Sequence, residues 1–202
     1  MKIAIIDYDV GNIKNVQTAL KDVALDSVIT RDPAVIAECD GIVLPGVGAF
    51  ADAMRKLEEY DLVSCLKANV AQGKPLLGIC LGMQLLFDQS FENGEYSGLG
   101  LIPGKIVRFD DTKVKVPHMG WNNLILNRDD PIAAGITDED YVYFVHSYYA
   151  LPDDFDDVVA YAEYDVKVPG IVRKGSVIGM QFHPEKSALV GTKLLENFKA
   201  ML

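Results

Sequence analysis

Cys80 sits between two glycines, Gly78 and Gly82, where an apolar run meets a helix-like one. Residues 76–79, Leu-Leu-Gly-Ile, read as a short buried strand, and residues 81–87 as the first turns of a helix. A strand-to-helix turn this sharp is a nucleophile elbow, with Cys where hydrolases often carry Ser. The turn holds its central residue in a strained backbone conformation. Glycines on either side avoid collisions with neighbouring strands or with a substrate. The thiol then faces the free N–H groups of a helix start, which favour negative charge on sulfur. The Leu81 N–H points at any oxyanion formed when Cys80 attacks a carbonyl. A free cysteine is more often a small core residue, but two flanking glycines between strand and helix count against that here. Cys39 and Cys65 lack such a setting and read as structural.

A thiol nucleophile needs a base, and a histidine base needs a carboxylate to fix its tautomer. His183 follows an apolar strand at residues 177–182, with Pro184 and Glu185 directly after it. Alone, a histidine is more often a satisfied core or surface residue. The stiff Pro-Glu link and the strand-end position reverse that for His183. His118 and His146 have no local constellation and stay outside the catalytic reading. The three histidines lack the close ligand spacing of a metal site.

The elements that must position these groups follow from periodicity. Residues 2–7, 27–30 and 41–45 read as strands. Between and after them lie helical stretches at 13–25, from Asp32-Pro33 onward, at 51–60 and at 62–72. This alternation, ending in the elbow strand, predicts an α/β fold: a three-layer, doubly wound, mostly parallel sheet with helices on both faces. Sites in such sheets form at the carboxyl ends of strands. The loops there are residues 9–12, residues 46–50 and the elbow. The Gly46-Val47-Gly48 segment reads equally as a tight turn or as part of the site. It is neither a Walker A nor a dinucleotide fingerprint. After residue 87 the pattern changes. Residues 88–104 read mainly as loop. Strands are predicted at 105–109, 114–116, 141–145, 158–164, 170–173 and 177–182, with hairpin chemistry at Arg173-Lys174-Gly175-Ser176. An amphipathic helix at 187–202 closes an antiparallel extension.

The 202 residues are enough for one domain, residues 1–202, with a substantial core. A net charge of −10 speaks against a general nucleic-acid binder. No apolar run approaches the ~20 residues of a membrane span. The first apolar residues meet Asp7 too soon for a signal peptide. Three widely spaced cysteines make no disulfide framework, so a reducing, cytoplasmic setting is expected.

Three stretches in order resemble the class I, triad-type glutamine amidotransferases: Pro45-Gly46-Val47-Gly48, Gly78-Ile79-Cys80-Leu81-Gly82-Met83-Gln84 and His183-Pro184-Glu185. The resemblance spans essentially the whole chain and implies that family's flavodoxin-like core. Within the family, three further stretches are similar to the HisH branch, the glutaminase subunits of imidazole glycerol phosphate synthase. These are Gly11-Asn12-Ile13-Lys14-Asn15, Pro117-His118-Met119-Gly120-Trp121-Asn122 and Gln181-Phe182-His183-Pro184-Glu185-Lys186-Ser187. The subunit of another pathway, such as anthranilate synthase, is disfavoured by residues 117–122. A non-catalytic binding subunit is disfavoured by the intact Cys80, His183 and Glu185.

The resemblance implies that Cys80 attacks the glutamine side-chain amide, that His183 moves the protons and that Glu185 orients His183. It further implies an oxyanion hole from Val47 and Leu81. Gly48, Gln84, Glu92, Ser147 and Tyr148 would hold the glutamine. Ammonia would pass to a separate (β/α)₈-barrel synthase subunit, HisF, which makes imidazole glycerol phosphate and the AICAR nucleotide. Asn12, Asn15, Met119, Trp121, Tyr143 and Lys186 would face that partner. From the residues alone, Trp121 reads as core, Asn12 and Asn15 as helix-start decoration, and Lys186 as a solvated charge. No cofactor and no metal are implied.

Overall fold

The computed structural model describes residues 1–202. Its first strand β1 (Lys2–Ile6) is apolar at consecutive positions because both of its faces are covered. Ile3 and Ile5 belong to one core cluster, Ala4 and Ile6 to another on the opposite face. The chain continues through α1 (Ile13–Asp22), β2 (Asp26–Thr30), α2 (Pro33–Glu38), β3 (Gly41–Gly46), α3 (Phe50–Glu59), α4 (Leu62–Ala71), β4 (Leu76–Cys80) and α5 (Leu81–Leu85). It then runs through β5 (Phe87–Ser90), β6 (Tyr96–Ser97), β7 (Ile102–Arg108), β8 (His118–Asn123), β9 (Ile125–Leu126), β10 (Tyr141–His146), β11 (Tyr148–Pro152), β12 (Val158–Tyr164), β13 (Val166–Lys174), β14 (Val177–Met180) and α6 (Ala188–Lys199).

The main sheet has eight strands in the order β2-β1-β3-β4-β14-β13-β12-β9. From β2 to β14 neighbours run parallel, and from β14 to β9 antiparallel. α1 and α6 cover one face through Val16, Leu20, Leu194, Leu195 and Phe198. On the other, α2, α3, α4 and α5 bury Ile36, Phe50, Leu57, Leu62, Leu66 and Met83. The doubly wound architecture expected from the sequence is therefore present. Asp32 caps α2 by accepting from Ala34 N at 2.9 Å, ahead of Pro33.

The second half departs from expectation in several places, including strands β8, β9 and β11 that the sequence reading did not predict. Residues 114–116 form no strand. Asp110 instead draws the chain into a turn, accepting from Thr112 N at 3.0 Å and from its hydroxyl at 2.6 Å, and side-chain turn chemistry wins over β-branched content. Residues 88–104 hold short strands as well as loop. They carry β5, β6 and the start of β7 in a small sheet ordered β11-β7-β5-β6. The helix after the elbow ends at Leu85, because Phe87 turns into that sheet with its side chain buried. β8 and β10 pair as a separate two-stranded ribbon. One face of the ribbon is buried with His118, Phe144 and His146. The other presents Met119, 61% exposed, and Trp121, 54% exposed.

Candidate active site

The site begins where β3 and β4 end side by side, with Gly46 in register with Cys80. Cys80 has φ 56° and ψ −112°, the left-handed side of backbone space that non-glycine residues avoid. The glycines explain why the turn closes. A Cβ on Gly82 would lie 1.8 Å from Leu44 O, and one on Gly78 2.6 Å from Gly82 O. Leu81 opens α5, so its N–H has no partner within the helix. Gly48 has φ +98° with open space around it, so its conformation rather than crowding requires glycine.

β14 is the parallel neighbour of β4, with Met180 opposite Ile79. The chain leaving β14 therefore brings His183 to the Cys80 end of the sheet. His183 Nδ1 lies 2.8 Å from Glu185 Oε1, and both side chains are buried. With Nδ1 committed, Nε2 is the nitrogen left for Cys80. Burial alone lowers the His183 pKa, but its interactions with Cys80 and Glu185 outweigh that and raise it to about 9. The second carboxylate oxygen, Glu185 Oε2, is buried with no hydrogen-bond partner. The imidazolium is thus the direct compensation for that buried charge.

A cavity of about 380 Å³ opens above these groups. Val47, Gly48, Leu81, Gln84, Glu92, Ser147 and Tyr148 line it together with Cys80 and His183, so every oxyanion and glutamine-holding position expected from the sequence meets there. Glu92 is half-buried at the start of α3, accepting from Phe50 N at 2.8 Å. Burial raises its pKa, a tendency that the Phe50 N–H opposes. Gln84 lies over the floor of the cavity. Its Nε2 donates to Tyr148 O at 2.9 Å and to Gln181 Oε1 at 3.1 Å. Both amide hydrogens are then used, and Oε1 is left to accept from a bound molecule.

Several supporting residues escaped the sequence reading. Pro117, Val145 and His146 also line the cavity. The fully buried Tyr8 donates to Pro45 O at 2.6 Å, bracing the strand end that leads into residues 46–48. Burial, with the nearby Cys80 charge, raises the Tyr8 pKa. Ser187 Oγ donates to His183 O at 2.7 Å and accepts from Tyr143 N at 3.0 Å. The only available signals were a Tyr directly before the expected loop at residues 9–12 and a Ser inside the His183 motif.

The six residues expected to face a partner share one side of the molecule. Asn12 precedes α1 and Asn15 lies in its first turn. Lys186 is exposed in the 3₁₀ turn Pro184–Lys186, which touches both α1 and β10. On the ribbon Tyr143 pairs with Trp121, their rings 6.1 Å apart. All three cysteines are free. No helix is long and apolar enough to cross a membrane.

The class-I glutamine amidotransferase family matches residues 4–201. The chain is 51% identical over 201 residues to imidazole glycerol phosphate synthase subunit HisH of Bacillus cereus, covering 99% of this chain and 95% of that one. It is 51% identical over 199 residues to the HisH subunit of Carboxydothermus hydrogenoformans, covering 98% of each. Among solved structures, PurLQS from Thermotoga maritima superposes with a TM-score of 0.77 at 20% identity, over 99% of this chain and 98% of that one. A crystal structure of a glutamine amidotransferase gives 0.78 at 19% identity, over 98% and 97%. At those identities the solved structures speak to the fold alone.

Proposed function

The chain belongs to the class-I glutamine amidotransferase family, in its HisH branch, and from that premise we propose how its residues divide the work. It is the glutaminase subunit of imidazole glycerol phosphate synthase, acting in histidine biosynthesis with the HisF synthase subunit as its partner. Residues 1–202 work as one amidotransferase unit. The three free cysteines suit a reducing compartment, the cytoplasm.

Cys80 Sγ attacks the side-chain amide carbon of glutamine. The oxygen, now negative, is held by the Leu81 N–H and the Val47 N–H; losing one such donor costs roughly 10²–10³-fold in turnover. His183 is protonated below about pH 9, so it gives its proton to the leaving amine and ammonia departs. The thioester remains on Cys80. His183, now neutral, takes a proton from water as the water attacks the thioester, and glutamate leaves. Glu185 keeps Nδ1 protonated and the ring oriented. Glu92 pairs with the substrate ammonium, and backbone N–H groups at Ser147 and Tyr148 receive its carboxylate. Gln84 Oε1 accepts from a substrate N–H. Ammonia passes to HisF across the face carrying Asn12, Asn15, Met119, Trp121, Tyr143 and Lys186.

The observation that carries this reading is the convergence of Cys80, the His183–Glu185 pair and all five glutamine-holding positions on one cavity. The test is glutaminase activity of the chain alone, then with HisF and its nucleotide ligand. Low activity alone and strong stimulation in the complex are expected. Cys80→Ala should abolish glutamine-dependent synthesis and keep synthesis from added ammonium salts. Undiminished glutamine-dependent synthesis by that variant would overturn the assignment.

A further inference from the structure

We propose that His118 and His146 form a hydrogen-bond relay of fixed direction that positions the Tyr148 carbonyl and, through it, Gln84. Both are positioning residues for glutamine, and the proposal rests on the glutaminase reading above.

The direction of the relay follows from its ends. His146 Nδ1 lies 2.9 Å from Tyr148 O. A carbonyl only accepts, so His146 Nδ1 carries the hydrogen. His146 Nε2 lies 3.0 Å from His118 Nδ1. His146 is buried, and burial lowers its pKa to about 3, so the ring is neutral and its Nε2 is a bare acceptor. His118 Nδ1 must therefore donate. Burial holds His118 neutral as well, at about 4, so its Nε2 accepts in turn. The donor is Asn122 Nδ2, 3.3 Å away. The Asn122 amide cannot be reversed, because the same Nδ2 donates to Glu163 O at 3.0 Å and its Oδ1 accepts from Asn123 N at 2.9 Å. Backbone carbonyls thus fix the polarity at both ends.

The surroundings hold the rings in place. His118 is stacked on Phe144 and on Tyr164, with ring centroids 4.7 Å and 4.1 Å away. Phe109 packs against both imidazoles. At the pocket end, Tyr148 O accepts from His146 and from Gln84, which uses both of its lone pairs. Gln84 is fixed by this carbonyl and by Gln181 alone. Removing the relay frees the carbonyl and loosens one of those two anchors. At the other end, Asn122 neighbours Trp121 on β8, so the relay runs along the inner face of the ribbon whose outer face meets the partner.

The test uses the complex with HisF and compares glutamine hydrolysis by His118→Phe, His118→Asn and the unmodified chain. Phe keeps the aromatic stack and cannot donate. Asn places an amide N–H near the position of Nδ1. We expect His118→Phe to raise the glutamine KM about three- to tenfold with kcat within about twofold, the signature of lost ground-state positioning. His118→Asn should return KM to within about twofold. Ammonia-dependent synthesis, measured on the same samples, should be equal in all three and reports that the complex is assembled. An unchanged KM in His118→Phe, or equal impairment in both variants, overturns the relay. Independently of any variant, ¹⁵N-histidine NMR of the complex should find the Nδ1–H tautomer at both rings; an Nε2–H tautomer at either one overturns it. A complex that makes no glutamate from glutamine before any substitution would instead overturn the glutaminase reading.

Discussion

His183 and Glu185 face each other across a single proline, their Nδ1 and Oε1 atoms 2.8 Å apart in a buried pocket. The pair is an electrostatic unit. Its pKa of about 9, raised from 6.5, makes the stabilisation fully present below pH 6.5 and lost as pH rises through 9. Above that pH the ring no longer holds a proton for the leaving amine. Glutaminase activity of the complex should therefore fall on the alkaline side with an apparent pKa near 9, a value belonging to the coupled site. Thermal stability should decline over the same window. Glu185→Gln removes the charge, moves the limb to lower pH and lowers kcat by roughly 10²–10⁴-fold. A rate flat to pH 10.5 would contradict the assignment.

The two kinds of glycine in the site separate stability from activity. Gly82→Ala places a methyl 1.8 Å from Leu44 O, and backbone on both sides cannot yield. A loss of about 3 kcal/mol or more is expected, as for severe overpacking. Gly48→Ala meets nothing within 4 Å but must hold φ +98°, a strain of about 1–2 kcal/mol. Its melting temperature should fall much less, while kcat/KM for glutamine drops at least about tenfold as the 47–48 peptide shifts. Calorimetry and steady-state kinetics on both variants check the contrast.

The parallel half of the fold was legible because its inner strands are apolar on both faces and its helices bury apolar residues against them. Ile3 to Ile6 and Val16 with Leu20 needed no tertiary information. The antiparallel half was less so. β8 carries His118, Gly120 and Asn122 inward, so it has no apolar alternation to read. Val114 to Val116 has that content and forms no strand, because Asp110 turns the chain directly before it. Within the site, Cys80, His183 and Glu185 were marked out by glycine spacing and strand ends. Tyr8 and Gln181 were not, because their partners lie far away in sequence: Tyr8 and Pro45 are separated by 37 residues, Gln84 and Gln181 by 97. Without that pairing, Gln181 is only a polar residue in a buried strand.

Trp121 is 54% exposed, and its neighbour on β10 is Tyr143. A half-exposed Trp beside an exposed Met119 forms the aromatic centre that interfaces use as an anchor. Trp121→Ala should weaken association with HisF by about 2 kcal/mol or more, at least about 30-fold in Kd. The melting temperature of the free chain should stay nearly unchanged, since little packing is lost. Titration calorimetry measures the first and a thermal melt the second. Unaltered affinity would move the interface off the ribbon.

Cys80 combines reactivity with strain, and the two can be separated. Its φ of 56° and ψ of −112° suit glycine and cost another residue on the order of 1–3 kcal/mol. Cys80→Ala keeps that strain, because alanine still has a Cβ. Cys80→Gly removes it, against about 0.5–1 kcal/mol for the extra freedom of glycine in the unfolded chain and about 0.8 kcal/mol for one buried methyl group. With strain at the upper end of its range the balance favours glycine by up to about 1.7 kcal/mol, which raises the melting temperature by roughly 3–7 °C in a chain of this size. Both variants should be inactive with glutamine, and both should support synthesis from ammonium salts in the complex. The glycine variant melting below the alanine variant would mean that the strain at Cys80 is smaller than the roughly 1.3–1.8 kcal/mol that glycine costs there.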